Sequence, residues 1–272
     1  MSEPYVAMGG VTLDNTEPPL FEVRDVGVRF GGVQALAAVS FSVQQGEVCA
    51  LIGPNGAGKT TLFNVISGVH QAQSGDVLLG GQLLNDMRPD QRAALGIART
   101  FQNVALFNGM TVIENVLVGR HRAHRKDGFL RSALQLKGTR RRERESRSEC
   151  LEILELLEID DIADQDVDGL PFGTLKRIEL ARALAVDPCL MLLDEPAAGL
   201  THSEVDELVE LLKKLKASHN LTIVVVEHHM RLVMNLSDRV VALNFGETMA
   251  NGTPRVVAQD PRVVAAYLGA AR

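Results

Sequence analysis

The residues Gly53-Pro54-Asn55-Gly56-Ala57-Gly58-Lys59-Thr60 fit the pattern G-x-x-x-x-G-K-[ST] at every position. Glycines at this spacing let successive backbone N–H groups turn inward and form a nest for an anion. A helix starting behind them adds the partial positive charge of its N-terminus. Lys59 has the reach to meet β- and γ-phosphates, and the Thr60 hydroxyl is a donor suited to Mg²⁺. The apolar run Val48–Ile52 precedes the pattern and a helix-like run, Thr61 to Ser67, follows it, which is the context the pattern requires. The segment reads as a nucleotide phosphate site.

Two further segments carry acids and imidazoles to where such a site needs them. Leu190-Met191-Leu192-Leu193-Asp194-Glu195 is an apolar strand ending in two carboxylates. In open α/β folds the C-terminal edge of the sheet is where ligands bind. Asp194 is placed to hold Mg²⁺ directly or through water, which leaves Glu195 to orient and activate an attacking water. Val224-Val225-Val226-Glu227-His228-His229 is another strand ending in polar groups. A histidine there suits a hydrogen bond to the γ-phosphate or to the water, and equally a cap on a backbone group. Periodicity does not decide between His228 and His229.

The elements that must position these groups follow from apolar patterning. Val48–Ile52, Leu190–Leu193, Leu221–Val226 and Val240–Leu243 are short runs rich in Val, Ile and Leu, apolar on both faces, as in a parallel sheet covered by helices. Val205, Leu208, Val209, Leu212 and Leu215 recur at helical spacing between two of these runs, completing a βαβ unit and an α/β domain. With 272 residues, 46% hydrophobic and 23% charged, the chain has an ordinary globular balance, and its formal charge of −6 argues against a generic nucleic-acid binder. No apolar run is long enough to span a bilayer, and Met1 to Gly10 lacks the basic, then apolar, order of a secretory signal. Cys49, Cys150 and Cys189 have no metal-ligand or CxxC spacing and read as small hydrophobes of a reduced cytoplasmic chain. Residues 1–20, with Pro4, Gly9, Gly10, Pro18 and Pro19, read as a flexible tail. From Arg120 to Arg147, 11 Lys or Arg face three acids, a local net charge of +8. That run reads as a solvated insertion or as a surface near anionic headgroups or a membrane partner. A helical stretch with Cys150, Ile153, Leu154 and Leu157 on one face follows it.

Taken together and in this order, the motifs resemble the ATP-binding subunits of ABC transporters, from about Phe21 to the C-terminus. Gly53–Thr60 resembles Walker A, and Leu190–Glu195 resembles Walker B, with Glu195 at the place of the catalytic carboxylate. Gln102 resembles the Q-loop glutamine, His228 the switch histidine, and Phe30 the aromatic that stacks on adenine. Leu170-Pro171-Phe172-Gly173-Thr174 sits where the signature motif belongs. The resemblance implies a P-loop NTPase over residues 21–270, with a RecA-like parallel core and an N-terminal antiparallel β subdomain. It also implies an α-helical signature subdomain at about 103–185 that includes the insertion 120–147. The nucleotide-binding set it implies is Phe30, Gly53, Pro54, Asn55, Gly56, Ala57, Gly58, Lys59, Thr60 and Thr61, completed by Gly173 from a second subunit. Thr60, Asp194 and Gln102 are implied around Mg²⁺, and Glu195, His228 and Gln102 in hydrolysis of ATP.

Finer features are similar to the branched-chain amino acid importers: Arg99-Thr100-Phe101-Gln102, Asp194-Glu195-Pro196-Ala197-Ala198-Gly199-Leu200, Glu227-His228, the basic insertion, and the ending Asn251-Gly252-Thr253-Pro254 … Ala266-Tyr267-Leu268-Gly269. Lipopolysaccharide-export ATPases share part of that ending. The resemblance implies two ATPase subunits, alike or different, clamping two ATP molecules head to tail at the cytoplasmic face of the inner membrane. They would drive integral-membrane permease subunits and, indirectly, a periplasmic or lipid-anchored substrate-binding protein. The contact surface implied for the permease is Asn103 to Asn115, with Phe107, Met110 and Val112. Rival readings are a transport ATPase for urea, short amides or an exported lipid, and a soluble ATPase of DNA repair or translation. The soluble ATPase would need a long coiled coil or a tandem module, and a GTPase would need Asn-Lys-x-Asp; the sequence has none of these. Two positions depart from the family pattern. Pro171 replaces the signature serine and brings neither hydroxyl nor N–H, so backbone N–H groups near Gly173 must take over its phosphate contact. Thr201 stands where many relatives have Asp or Asn.

Overall fold

The computed structural model describes residues 18–100, 104–123 and 136–269. A six-stranded sheet carries the site. Its order is β10 (Glu247–Gly252), β9 (Arg239–Asn244), β3 (Val48–Ile52), β8 (Thr222–Val226), β7 (Leu190–Asp194) and β6 (Ile97–Arg99). The strands from β9 to β6 pair in parallel, and β10 closes one edge antiparallel to β9. A four-stranded antiparallel sheet has the order β2 (Val33–Val43), β1 (Phe21–Phe30), β4 (Ser74–Leu79) and β5 (Gln82–Leu83). The parallel core, antiparallel subdomain and helical subdomain expected from the resemblance are therefore all present. The strand expectations of the sequence lie within one residue of the observed ends. Leu20 already accepts a hydrogen bond from the Gly80 N–H, so the sheet is engaged at the last residue assigned to the tail.

Every residue of β3, β7 and β8 is buried, which explains their unbroken apolar runs. Alternation along each strand divides the interior in two. Val48, Ala50, Ile52, Met191, Leu193, Ile223 and Val225 face a core built with the helices, whereas Cys49, Leu51, Leu190, Leu192, Val224 and Val226 face the antiparallel sheet and α1 (Lys59–Ile66). The helices between are α2 (Pro89–Ala94), α3 (Val112–Ala123), α4 (Leu136–Leu156), α5 (Phe172–Leu184), α6 (His202–His219), α7 (Met230–Leu236), α8 (Pro254–Ala258) and α9 (Pro261–Gly269). Cys150 and Leu154 of α4 and Leu157 just beyond it are fully buried against Ile113 and Val116 of α3, as the helical period of that stretch requires.

One expectation changes, and those for residues 1–17 of the tail, for Gln102 and for much of the basic insertion lie outside the described residues. Val112, assigned to a permease surface, is completely buried at the start of α3, where its N–H donates to the Gln165 carbonyl. Cys49 and Cys150 are buried, whereas Cys189 is exposed in the loop before β7 with its Sγ on the Leu95 and Gly96 carbonyls. Much of the basic run lies outside the described residues. Of the rest, Arg120 pairs with Glu149, Arg141 with Glu145, and Arg147 with Asp164. No helix among the described residues is long and apolar enough to cross a membrane.

Candidate functional site

The phosphate loop leaves β3 at Gly53 and enters α1 at Lys59. Gly53 (φ 152°) and Gly58 (φ 100°) occupy backbone that side chains rarely adopt, and neither has room for one. A Cβ on Gly53 would lie against the Leu243 carbonyl of β9, and one on Gly58 would lie 2.6 Å from the Ala35 carbonyl of β2. The turn between β9 and β10 braces the loop from a third side, since the Gly246 N–H donates to the Ala57 carbonyl and its carbonyl accepts from Ala37. No side chain caps α1, so its first N–H groups stay available to an anion. Lys59 Nζ lies against the carbonyls of Gly53 (2.7 Å) and Pro54 (3.0 Å). Burial holds its ammonium below the usual lysine range, and the nearby charge of Glu195 acts in the opposite direction.

Asp194 ends β7 at the same sheet edge. Its carboxylate accepts from Arg99 Nη2 at 2.9 Å, and both side chains are largely buried. Arg99 Nη1 bonds Asn64 Oδ1 (2.8 Å) and Ser67 Oγ (2.7 Å), so one guanidinium ties the far end of α1 to β6 and β7. The hard oxygens of Thr60 and Asp194 fit Mg²⁺, which is commonly held by one or two protein oxygens and completed by water and phosphate. Glu195 adopts φ 47°, a left-handed conformation uncommon for a residue with a side chain. Its N–H on the Val226 carbonyl and its carbonyl under the Ala198 N–H hold it there. This turn directs Glu195 Oε1 to within 3.7 Å of His228 Nδ1.

The two adjacent histidines lie in different surroundings. His228 is exposed beside Glu195, while His229 turns its ring to His202 and has a buried Nδ1 without a hydrogen bond. Glu227, given no role by sequence, is completely buried. Its carboxylate accepts the N–H groups of Ala197 (2.8 Å), His228 (3.0 Å) and His229 (2.9 Å). It therefore fastens the loop after Asp194-Glu195 to the end of β8.

Phe30, at the tip of the β1–β2 hairpin, is 49% exposed and packs edge-on against His70. Gln102 lies outside the described residues. Gly173 sits apart from the phosphate loop, in the first turn of α5 behind the N-cap Pro171, with the Glu204 carboxylate alongside. The missing N–H of Pro171 costs this helix nothing, since an N-cap need not donate within the helix. Thr201 is the N-cap of α6 and forms a capping box with Glu204.

The loop and the carboxylate edge fall within one recognised unit: a family model described as "ABC transporter" matches residues 36–198. This chain is an ABC ATPase. It binds and hydrolyses ATP. A second model, described as "Branched-chain amino acid ATP-binding cassette transporter", matches residues 247–272 of the ATPase. The ATPase is 41% identical over 253 residues to a high-affinity branched-chain amino acid transport ATP-binding protein, BraF, of Pseudomonas aeruginosa, covering 93% of this chain and 99% of that protein. It is 42% identical over 253 residues, with the same coverages, to a protein of the same description, LivG, of Escherichia coli K12. Among solved structures it is similar to an ATP-binding cassette of an ABC transporter in its ADP conformation. The TM-score is 0.79 at 30% identity, over 93% of this chain and all of that one.

Arg99, Glu227 and Gly246 are the residues of the site that sequence reasoning left without roles. Arg99 stands in the quoted Arg99-Thr100-Phe101-Gln102, and a basic residue ending an apolar strand is the one signal that marks it. Glu227 stands beside His228, and a carboxylate ending a strand as apolar as β8 is an equal signal.

Proposed function

We propose that this ABC ATPase energises an importer of branched-chain, hydrophobic amino acids. The match of residues 247–272 to a model of that transporter class carries the cargo assignment, and the BraF and LivG relatives agree with it over nearly the whole chain. Two such subunits, identical or paired with a related one, bind two ATP molecules head to tail at the cytoplasmic face of the inner membrane. Permease subunits receive their motion, and a substrate-binding protein outside the membrane delivers the amino acid.

In each site Phe30 stacks on adenine and the N–H groups of Gly53–Thr61 wrap the phosphates. Lys59 exchanges its two carbonyl partners for phosphate oxygens. Thr60, Asp194 and Gln102 would hold Mg²⁺, which when bound neutralises charge between the β- and γ-phosphates. The Gly173 segment of the opposite subunit closes the site through the free N–H groups of its first helical turn. Glu195 takes the proton of the attacking water as its oxygen bonds to the γ-phosphorus and the bond to ADP breaks. His228 holds the γ-phosphate, and the products are ADP and phosphate.

The permease contact centres on Phe107, which is 49% exposed. It borders a cavity of about 330 Å³ that Ala105, Val118 and Arg182 also line, with Arg182 over the ring at 5.9 Å. Asn115, completely buried, fixes the Phe107 backbone by accepting its N–H at 2.8 Å and donating to its carbonyl. Replacing Phe107 and Met110 by Asp is expected to abolish co-purification with the permease while ATP affinity stays within about twofold of native, because burying an unpaired carboxylate is costly. Retained co-purification would place the contact elsewhere.

Uptake of labelled leucine, isoleucine and valine in source cells carrying Glu195→Gln tests the cargo. Loss of all three, with an unrelated transporter unaffected, supports the assignment. Unchanged uptake with the variant present overturns it, and urea and amides are then the cargoes to measure.

A further inference from the structure

Asp194 is held by the two residues that end and follow β6. The Thr100 N–H donates to the Leu192 carbonyl at 2.9 Å, and the Asp194 N–H donates to the Thr100 hydroxyl at 3.4 Å. The main chain of β7 is thereby kept in register up to its last residue. Arg99 takes the side chain, its Nη2 donating to Asp194 Oδ2 at 2.9 Å, with the two side chains 12% and 9% exposed. A charge-assisted bond with so little solvent around it is strong. It leaves Oδ1 as the oxygen of this carboxylate that can meet a cation or its water.

Arg99 is itself anchored. Its Nη1 holds Asn64 Oδ1 and Ser67 Oγ, and its guanidinium lies over the buried ring of Phe63 at 5.5 Å. These three residues form the far end of α1, which a second arginine fixes in turn. Arg92, 2% exposed, donates to the carbonyls of Val65 (2.6 Å), Ile66 (2.8 Å) and Leu84 (2.7 Å). The Asp194 carboxylate is therefore clamped to a braced frame and does not turn freely.

Divalent cations differ in what they ask of such a group. Ca²⁺ gathers about six to eight oxygens in flexible geometry and often takes both oxygens of one carboxylate, whereas Mg²⁺ keeps several waters and needs few protein oxygens. Asp194 can offer both oxygens only by breaking a largely buried ion pair, which is costly.

We propose that Arg99 is a positioning residue that sets the cation preference of the site: by occupying Oδ2 it makes Asp194 a one-oxygen partner, which favours Mg²⁺ over Ca²⁺. The proposal rests on the reading of Asp194 as the acid at the metal. It assigns the choice of cation to a residue that need not touch the cation.

Binding of ADP to the full chain reads this preference without turnover. The native chain should bind ADP at least about tenfold more tightly with Mg²⁺ than with Ca²⁺. A smaller ratio overturns the proposal even if no variant folds. Arg99→Met keeps an unbranched side chain over Phe63 and releases Oδ2. It should cut the preference about tenfold, the lower end of what an outer-shell partner contributes, chiefly by tightening binding with Ca²⁺. With divalent ions chelated, its ADP affinity should stay within about twofold of native, because an outer-shell partner acts through the metal. An unchanged preference, or an equal loss of affinity with and without metal, overturns the proposal. Asp194→Asn separates the two claims. If it keeps the native dependence of ADP affinity on Mg²⁺, the metal reading of Asp194 fails. If it abolishes that dependence while Arg99→Met keeps the native preference, only the role of Arg99 fails.

Discussion

Glu195→Gln should keep ATP bound while slowing hydrolysis about 10²- to 10⁴-fold, the usual contribution of a positioned general base. The amide has the shape of the carboxylate and keeps the turn, whose φ of 47° is set by backbone bonds to Val226 and Ala198. What it loses is the capacity to take a proton beside His228. Phosphate release under single-turnover conditions, with ATP affinity measured on the same protein, separates the two. A loss below tenfold would mean that another group takes the proton. The variant also carries a pH signature. Glu195 raises the Lys59 pKa against the lowering by burial, so removing its charge moves that pKa further down. ATP affinity of the variant should therefore fall off at lower pH than that of the native chain as pH rises, and a titration of affinity against pH checks the sign.

Glu227→Ala should be the most destabilising single change at the site. It strips a completely buried acceptor from three N–H groups, that of Ala197 buried and those of His228 and His229 part-buried. Each orphaned buried donor costs roughly 1–3 kcal/mol, so a loss of about 3 kcal/mol or more is expected in denaturant unfolding. That is a large part of the stability of a typical domain. Glu227→Gln gives a finer result. One amide oxygen can still accept from His228 and His229, but the amide nitrogen then faces the Ala197 N–H, donor against donor. The loop after Glu195 should come loose first, with faster amide exchange at Ala197 than at His229. Equal protection at both would mean that the carboxylate is not the fastening.

The phosphate loop was legible because its chemistry lies in consecutive residues, and Glu195 because strand ends of a parallel sheet meet at one edge; the choice of His228 over His229 came from family resemblance. The continuous burial of β3, β7 and β8 wrote itself into unbroken Val, Ile and Leu runs. Other features depend on partners that no local spacing encodes. Arg99 acquires its role only when α1, β6 and β7 converge on its guanidinium, and Glu227 only when Ala197 arrives from another loop. The antiparallel sheet came from family resemblance, not from pattern. Strand β1 bulges between Val23 and Val28, and the irregularity breaks the alternation that would have announced a strand. Val112 misled because an apolar residue in an otherwise exposed stretch looks the same from sequence whether it faces a partner or its own core.

The order of the central sheet has a consequence for biosynthesis. Strand β3, which aims the phosphate loop, is flanked by β8 and β9, and its first N–H is held by Asp238, 190 residues further along the chain. A ribosome that has finished the whole glycine-rich segment has therefore not yet supplied either neighbour of the strand beneath it. Contacts this distant in sequence form late and slowly. The nascent chain should gain nucleotide-dependent protease resistance only once the stretch through Asn244 has emerged, and truncations ending before Thr222 should never gain it.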